Sequence, residues 1–335
     1  MTTGAGGRRS TKTMRGRSSG RASPRRGRAP QAEEPPGGGT GSLGRFREHG
    51  GWTEVVPQVS EIWDLAGRYA WSSYRGIRDR RTFADVETYC MFVGYPRSGH
   101  TLVAWLLDAH PEVLIAPELD ALKYVLAGFR KRQLYPLILR RVEEARRERL
   151  ESVDRRYSYE VEGQWQGTFE RLRVIGDKKG GSSSLRLAQH PGLYDRLRRT
   201  IDERITFVHI VRNPFDNITT MARRTGLGLS DAADTYFLMA RSVAAVRARV
   251  PANDWFEARH EDVVDEPAEV LGRLCTFLGL EASDEYLRSC SSIVRRSPHR
   301  SRDDVSWSTE LIASVTERAQ ELEFVREYSY SDATG

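Results

Sequence analysis

Residues 90–111 read CMFVGYPRSGHTLVAWLLDAHP, and no other stretch restricts the fold of this chain so tightly. An apolar run enters a turn that carries Gly94, Pro96 and Gly99, and an amphipathic run leaves it. A strand that turns into a helix in this way points backbone N–H groups and a helix N-terminus at one spot, which suits an anion. Ser98 and Thr101 add hydroxyl donors, and Arg97 puts a fixed cation inside the turn. GYPRSGHT also follows the nucleotide-loop pattern GxxxxGK[ST], except that His100 stands where the lysine belongs. That lysine reaches the β- and γ-phosphates in phosphoryl transfer, and a neutral imidazole is a poor replacement.

The rest of the body alternates short β-branched runs with helical ones. Strands are expected at Cys90–Tyr95, Val113–Ala116, Arg173–Gly176, Ile205–Val211 and Trp255–Ala258. Helices are expected near 101–109, 118–130, 135–150, 183–200, 214–224, 230–249, 267–278 and 308–322. Such alternation implies a three-layer α/β/α fold with a central parallel sheet, of the P-loop-like nucleotide-binding kind. No internal repeat is visible. The aromatic and polar alternation of YSYEVEGQWQGTF, residues 157–169, reads as a hairpin or an insertion over the site.

Charge separates the chain into two parts. Residues 1–30 hold nine basic side chains and no acid, which leaves 43 basic against 46 acidic residues for everything after them. The net charge of +6 therefore belongs to a tail, and a nucleic-acid-binding domain is not indicated. Residues 1–47, rich in Gly, Ser, Pro and Arg, have little to bury and are expected to be a disordered basic tail; residues 48–330 are expected to form one domain. Contact with nucleic acid, an acidic partner or an anionic surface is the functional reading of that tail, and a plain solvated extension is the expected one. A twin arginine has no apolar segment behind it, so an export signal is not expected.

Three cysteines without CxxC spacing fit a reducing compartment and a cytoplasmic protein, not a disulfide framework or a cysteine zinc site. No apolar run reaches the ~18 residues of a membrane span. Val55, Val59, Ile62, Ala66, Ala70, Ser73 and Ile77, with Trp63, Tyr69 and Trp71, repeat at helical spacing. A helix packed on the core and one lying on a membrane surface both give this pattern, and the packed helix is expected.

With these residues in view, the loop Pro96-Arg97-Ser98-Gly99-His100-Thr101 resembles the 5′-phosphosulfate loop of the sulfotransferases that use 3′-phosphoadenylyl sulfate. The arginine and the following LLDAHP are most similar to the tyrosylprotein and bacterial carbohydrate branches. A second motif, ITFVHIVRNPFDNITTMARR at 205–224, resembles the family's 3′-phosphate site, where an arginine ends a strand and a serine follows eight residues later. Arg212 and Thr220 keep that spacing, and Arg224 falls one turn beyond Thr220 on the same face. A third stretch, residues 258–280, resembles the family's YEDL…FLGL segment, with His260 in place of the tyrosine and much of the rest a core stripe.

The resemblance implies sulfuryl transfer from 3′-phosphoadenylyl sulfate, as co-substrate, to an acceptor hydroxyl, with no metal required. It places Arg97, Ser98, Gly99, His100, Thr101, Arg212, Thr220, Arg224 and, less strictly, Arg302 at the nucleotide. Transfer needs a base for the acceptor proton and cations for the moving charge. Glu118, expected at the carboxyl edge of the sheet, is the base chosen, with Asp120 and His100 as substitutes. Arg97 and Lys178 are the cations, and Lys179 is able to exchange with Lys178. The acceptor class stays open among glycans, lipid-linked sugars, natural-product hydroxyls and tyrosine. A kinase on the same sheet and a non-catalytic nucleotide-fold module are the rival readings; His100 weighs against the first, and the pair Glu118 and Lys178 against the second.

Overall fold

The computed structural model describes residues 59–151, 159–294 and 300–332. The expected tail, residues 1–47, lies outside them. In chain order the elements are α1 (Val59–Arg78), β1 (Thr88–Val93), α2 (His100–Asp108), β2 (Val113–Pro117), α3 (Ala121–Leu126), α4 (Lys131–Glu151), β3 (Val174–Lys178), α5 (Gly181–Gln189) and α6 (Leu193–Thr200). There follow β4 (Arg204–Val211), α7 (Pro214–Thr225), α8 (Leu229–Arg247), β5 (Trp255–Arg259), α9 (His260–Asp265), α10 (Pro267–Phe277), α11 (Asp284–Ser292) and α12 (Thr309–Gln320).

The five strands pair in the order β2-β3-β1-β4-β5, every pair parallel. All six residues of β1 are buried, as a strand covered on both faces requires. Period-two alternation divides the sheet between two helical layers. Cys90, Phe92, Val208 and Ile210 join one core with Leu106 of α2, Leu274 of α10 and Tyr286 of α11. On the other face Tyr89 stacks on Tyr135 of α4, and Phe207 lies against Tyr194 of α6. The chain leaves β1 toward β2 and returns past it to β4, so the loops after β1, β3 and β4 open at one place on the carboxyl edge. That is where an open α/β sheet binds ligands.

Four expectations need correction. The helix expected over 183–200 is two helices, because Pro191 and Gly192 interrupt it. The helix expected from 118 begins only at Ala121; Glu118 and Asp120 take left-handed backbone, with φ of 60° and 62°. Of YSYEVEGQWQGTF, residues 159–169 are described, and they form turns without strand pairing. The Gln166 side chain ties Val161 N, Trp105 O and Tyr159 O together, and Trp165 N donates to Ala109 O. This segment therefore covers the far end of α2 and not the phosphate loop.

The fourth correction concerns α1. Among the described side chains of its expected buried stripe, Trp63 is 74% exposed, Tyr69 41% and Ile77 65%, Ala66 and Ala70 are exposed too, and Trp71 and Ser73 are half-buried. The side packed on α4 mixes Leu65, Trp71 and Ser72 with Arg68 and Arg75. There Arg68 pairs with Asp64, Arg75 pairs with Asp79, and Trp71 sits between the guanidinium groups of Arg75 and Arg140. Gly76 permits this contact, since a Cβ there would lie 1.9 Å from Arg132 O.

Candidate active site

The loop after β1 is held from inside by His100. Its Nε2 lies 2.7 Å from Val93 O and its Nδ1 2.6 Å from Ser98 Oγ. Burial, and next the neighbouring His209, push the His100 pKa down to about 3, so the ring is neutral. A neutral ring that donates from Nε2 to Val93 O must accept from the Ser98 hydroxyl at Nδ1. Gly94 leaves room for that ring; a Cβ on it would stand 2.3 Å from His100 Cε1. The side chains of Ser98 and His100 thus brace the loop, and what they and Gly99 offer an anion is backbone N–H. Thr101 is exposed, and Arg97 is exposed in a left-handed turn with φ of 73°.

A cationic triad stands beside this loop. Lys178, the last residue of β3, is buried and donates from Nζ to Glu118 Oε1 and, at 3.3 Å, to Thr101 Oγ1. Lys179 Nζ lies 2.9 Å from Glu118 Oε2. Both lysines therefore share the one carboxylate, so the sequence's choice between them has no single winner. Burial by itself would raise the Glu118 pKa, but Lys178 first and then Lys179 outweigh it and hold the carboxyl below the ordinary range.

Glu118 gets its position from a buried neighbour that the sequence analysis passed over. Asp177, one residue before Lys178, accepts from Leu119 N at 3.1 Å and Ala121 N at 2.7 Å. Burial raises its pKa to about 7, against the pull of those two N–H groups. With Glu118 N also donating to Lys178 O, the turn after β2 is stitched to the end of β3. Asp120 is spent on Arg186, at 3.1 Å from its Nε, and does not reach the lysines' carboxylate. Trp105, Ile115, Pro117, Val142, Ala145 and Lys178 are among the residues lining a small, partly open cleft at Lys178.

Arg212 forms the second cluster. It leaves β4 and places Nη1 3.3 Å from Arg97 O and 3.5 Å from Thr220 Oγ1, with Nη2 3.4 Å from Ser301 Oγ. Thr220 and Ser301 hydroxyls meet at 3.0 Å. Burial lowers the Arg212 pKa, while Asp216 and Glu261 favour its charge. Ser301 joins the site although only its place beside Arg302 marked it in sequence. Arg224 is exposed one turn past Thr220.

Arg302, expected at the nucleotide, is turned inward. It is 1% exposed, bonds Asp216 Oδ2 through Nη1 at 2.5 Å and Asp332 O through Nη2, and its backbone N donates to Asp216 Oδ1. Its part is to fix the short turn on which Ser301 reaches Arg212. Residues 295–299 of the same basic stretch lie outside the described residues. Trp307 anchors the last helix, with Nε1 3.3 Å from Thr219 Oγ1 and its ring edge-on to Phe215. Behind the phosphate loop, His260 packs against Gly99 with its buried Nδ1 unpartnered; burial, then Arg212, lowers its pKa to about 3.

Among the described residues no three His, Cys, Asp or Glu side chains are grouped as a metal site, and no helix is long and apolar enough to cross a membrane. Cys90, Cys275 and Cys290 are buried and unbridged.

Comparison with known proteins gives one family: the sequence model described as "Sulfotransferase family" matches residues 91–284. No curated protein matches the chain significantly. Among solved structures, the chain is similar to sulfotransferase STF9 from Mycobacterium avium, at 12% identity, covering 79% of this chain and 85% of that one with a TM-score of 0.45. It is similar to sulfotransferase STF1 from Mycobacterium tuberculosis, at 13% identity, 78% and 85% coverage and a TM-score of 0.44. The mouse sulfotransferase SULT7A1 complexed with PAP gives 14% identity, 75% and 90% coverage and a TM-score of 0.40.

Proposed function

Because the chain belongs to the sulfotransferase family, we propose that it moves a sulfuryl group from 3′-phosphoadenylyl sulfate to the hydroxyl of an acceptor. The acceptor oxygen bonds to sulfur while the bond from sulfur to the leaving phosphate oxygen breaks. Adenosine 3′,5′-bisphosphate departs, and the acceptor proton passes to Glu118.

One observation carries this reading. Two cationic clusters, Arg212–Thr220–Ser301 and Lys178–Glu118–Lys179, stand on either side of the Arg97 loop at one sheet edge. In this assignment Arg212, Thr220 and Ser301 take the 3′-phosphate, with Arg224 as an outer contact. The backbone of Ser98, Gly99 and His100, together with Arg97 and the Thr101 hydroxyl, holds the 5′-phosphosulfate. Lys178 and Lys179 turn from Glu118 to the sulfuryl oxygens as the donor enters. Losing their charge lets the Glu118 carboxyl rise toward its ordinary pKa, which suits it to take a proton. The cleft beside Lys178 receives the acceptor. We also place the protein in the cytoplasm, which the buried, unbridged cysteines suit.

Incubating the protein and the donor with extracts, then searching by mass spectrometry for products heavier by one sulfate, tests the reaction and names the acceptor class. Failure to release adenosine 3′,5′-bisphosphate with any hydroxyl acceptor, or turnover of ATP in its place, would refute the assignment.

A further inference from the structure

α1 turns an apolar stripe to water. Trp63, Ala66, Ala70, Tyr74 and Ile77 recur at spacings of three and four and share one stripe, all of them exposed. On the side turned to α4, Ser73 accepts from Gln133 and Trp71 lies under Arg140, with Arg68 and Arg75 half-buried beside them. A helix that shows water an aromatic stripe leaves an apolar patch, and such patches mark interaction surfaces.

Three observations choose the partner. The stripe holds Trp, Tyr and Ile side by side, the side chains that settle at a membrane–water boundary. The last turn of the helix carries Arg75 and Arg78 and the turn after it Asp79, Arg80 and Arg81, a net charge of three positive in seven residues, and Arg78, Arg80 and Arg81 are exposed. The chain that leads into the helix opens with nine basic residues and no acid in its first thirty.

Other occupants fit less well. The first 47 residues carry only Met1, Met14, Leu43 and Phe46 as large apolar side chains, too few to cover the stripe. A stable contact with a second copy needs about 800 Å² and roughly 20 residues on each side, far more than one five-residue stripe supplies.

We propose that α1 lies in the interface of an anionic lipid surface, with its aromatic stripe in the headgroup–acyl boundary and its arginines and the basic N-terminal residues on the headgroups. Amphipathic burial and basic charge are the two signals that reversible peripheral binding combines. α4, on which α1 rests, is the helix whose Val142 and Ala145 line the cleft at Lys178, so the bound face is one helix away from that cleft.

The test is flotation of the full chain with phosphatidylcholine vesicles, with and without phosphatidylglycerol. Wild type should float with the anionic vesicles, should float poorly with the neutral ones, and should be released by salt. The triple variant Trp63→Ser, Tyr74→Ser, Ile77→Ser should bind at least about tenfold more weakly, with unchanged melting temperature and sulfuryl transfer. Arg78→Gln, Arg80→Gln and Arg81→Gln should each cost up to roughly fivefold on anionic vesicles and nothing on neutral ones. Equal flotation of wild type and the triple variant would overturn the proposal. So would a dimer in sedimentation equilibrium that the triple variant dissociates, which would assign the face to a second copy.

Discussion

The two cationic clusters handle charge in opposite ways. Arg212 is a half-buried guanidinium that bonds a carbonyl, a threonine hydroxyl and a serine hydroxyl, with the Asp216 and Glu261 carboxylates near enough to favour its charge. Lys178 and Lys179 are instead bridged by a carboxylate. A guanidinium whose hydroxyl partners can themselves donate to a phosphate is prepared for a dianion, and binding it requires little rearrangement. A lysine pair neutralised by Glu118 is stable without ligand and changes partners when one comes. The first arrangement suits holding a nucleotide, and the second suits a step in which charge and a proton move.

The sharpest break between the clusters is at Glu118. Glu118→Gln keeps the shape and hydrogen bonding of the side chain but removes its basicity. Turnover is expected to fall ~10²–10⁴-fold while the dissociation constant of adenosine 3′,5′-bisphosphate, measured by calorimetry, stays nearly constant. A parallel loss of binding would make Glu118 part of the loop's scaffold.

Arg212→Ala should do the reverse, weakening the 3′-phosphorylated donor by ~2 kcal/mol or more through loss of a charge-assisted contact. Adenosine 5′-phosphosulfate, which lacks the 3′-phosphate, should bind variant and wild type alike. Equal losses for both ligands would dissolve the distinction between the clusters.

The phosphate loop joins the two regions, and its integrity depends on a neutral His100. A histidine with a folded pKa of about 3 is depressed below its unfolded value near ~6.5. Its contribution is therefore complete above that unfolded value and is lost as pH falls toward 3, because the unfolded chain takes up a proton that the folded one refuses. Melting temperature should drop as pH is lowered through this window, at up to about 1.4 kcal/mol per pH unit from this residue, and the drop should be shallower in His100→Gln. An equally steep profile in the variant would mean that His100 titrates exposed.

The smallest effect is expected at Ser301. Ser301→Ala removes the hydroxyl that Arg212 and Thr220 both contact and should weaken the bisphosphate by ~1 kcal/mol, leaving turnover at saturation unchanged.

The difference between the clusters also bears on what the sequence discloses. The five strands were legible because every one is a short β-branched or aromatic run, and the phosphate loop because its glycines and proline have fixed backbone uses. Arg212 and Thr220 were legible because both lie on one strand–helix junction. Ser301 and the inward turn of Arg302 were not, because they depend on Asp216 and Asp332, contacts between residues far apart in the chain. Asp177 escaped for a similar reason: only the parallel pairing of β2 with β3 brings its carboxylate under the Glu118 turn. Of the α1 stripe expected to be buried, Trp63, Ala66, Tyr69, Ala70 and Ile77 are exposed, Trp71 and Ser73 are half-buried, and Tyr74, outside the expected pattern, joins the exposed face. Periodicity says which side chains share a face and not which way that face turns.

The central claim is that Arg212 and its two hydroxyls select a 3′-phosphate at a sulfuryl-transfer site. Calorimetric titration of the wild-type protein with adenosine 3′,5′-bisphosphate and with adenosine 5′-monophosphate tests it most directly. The bisphosphate should bind at least ~30-fold more tightly, the equivalent of ~2 kcal/mol in a charge-assisted contact. Equal affinity for the two nucleotides, or tighter binding of ATP than of the bisphosphate, would contradict it.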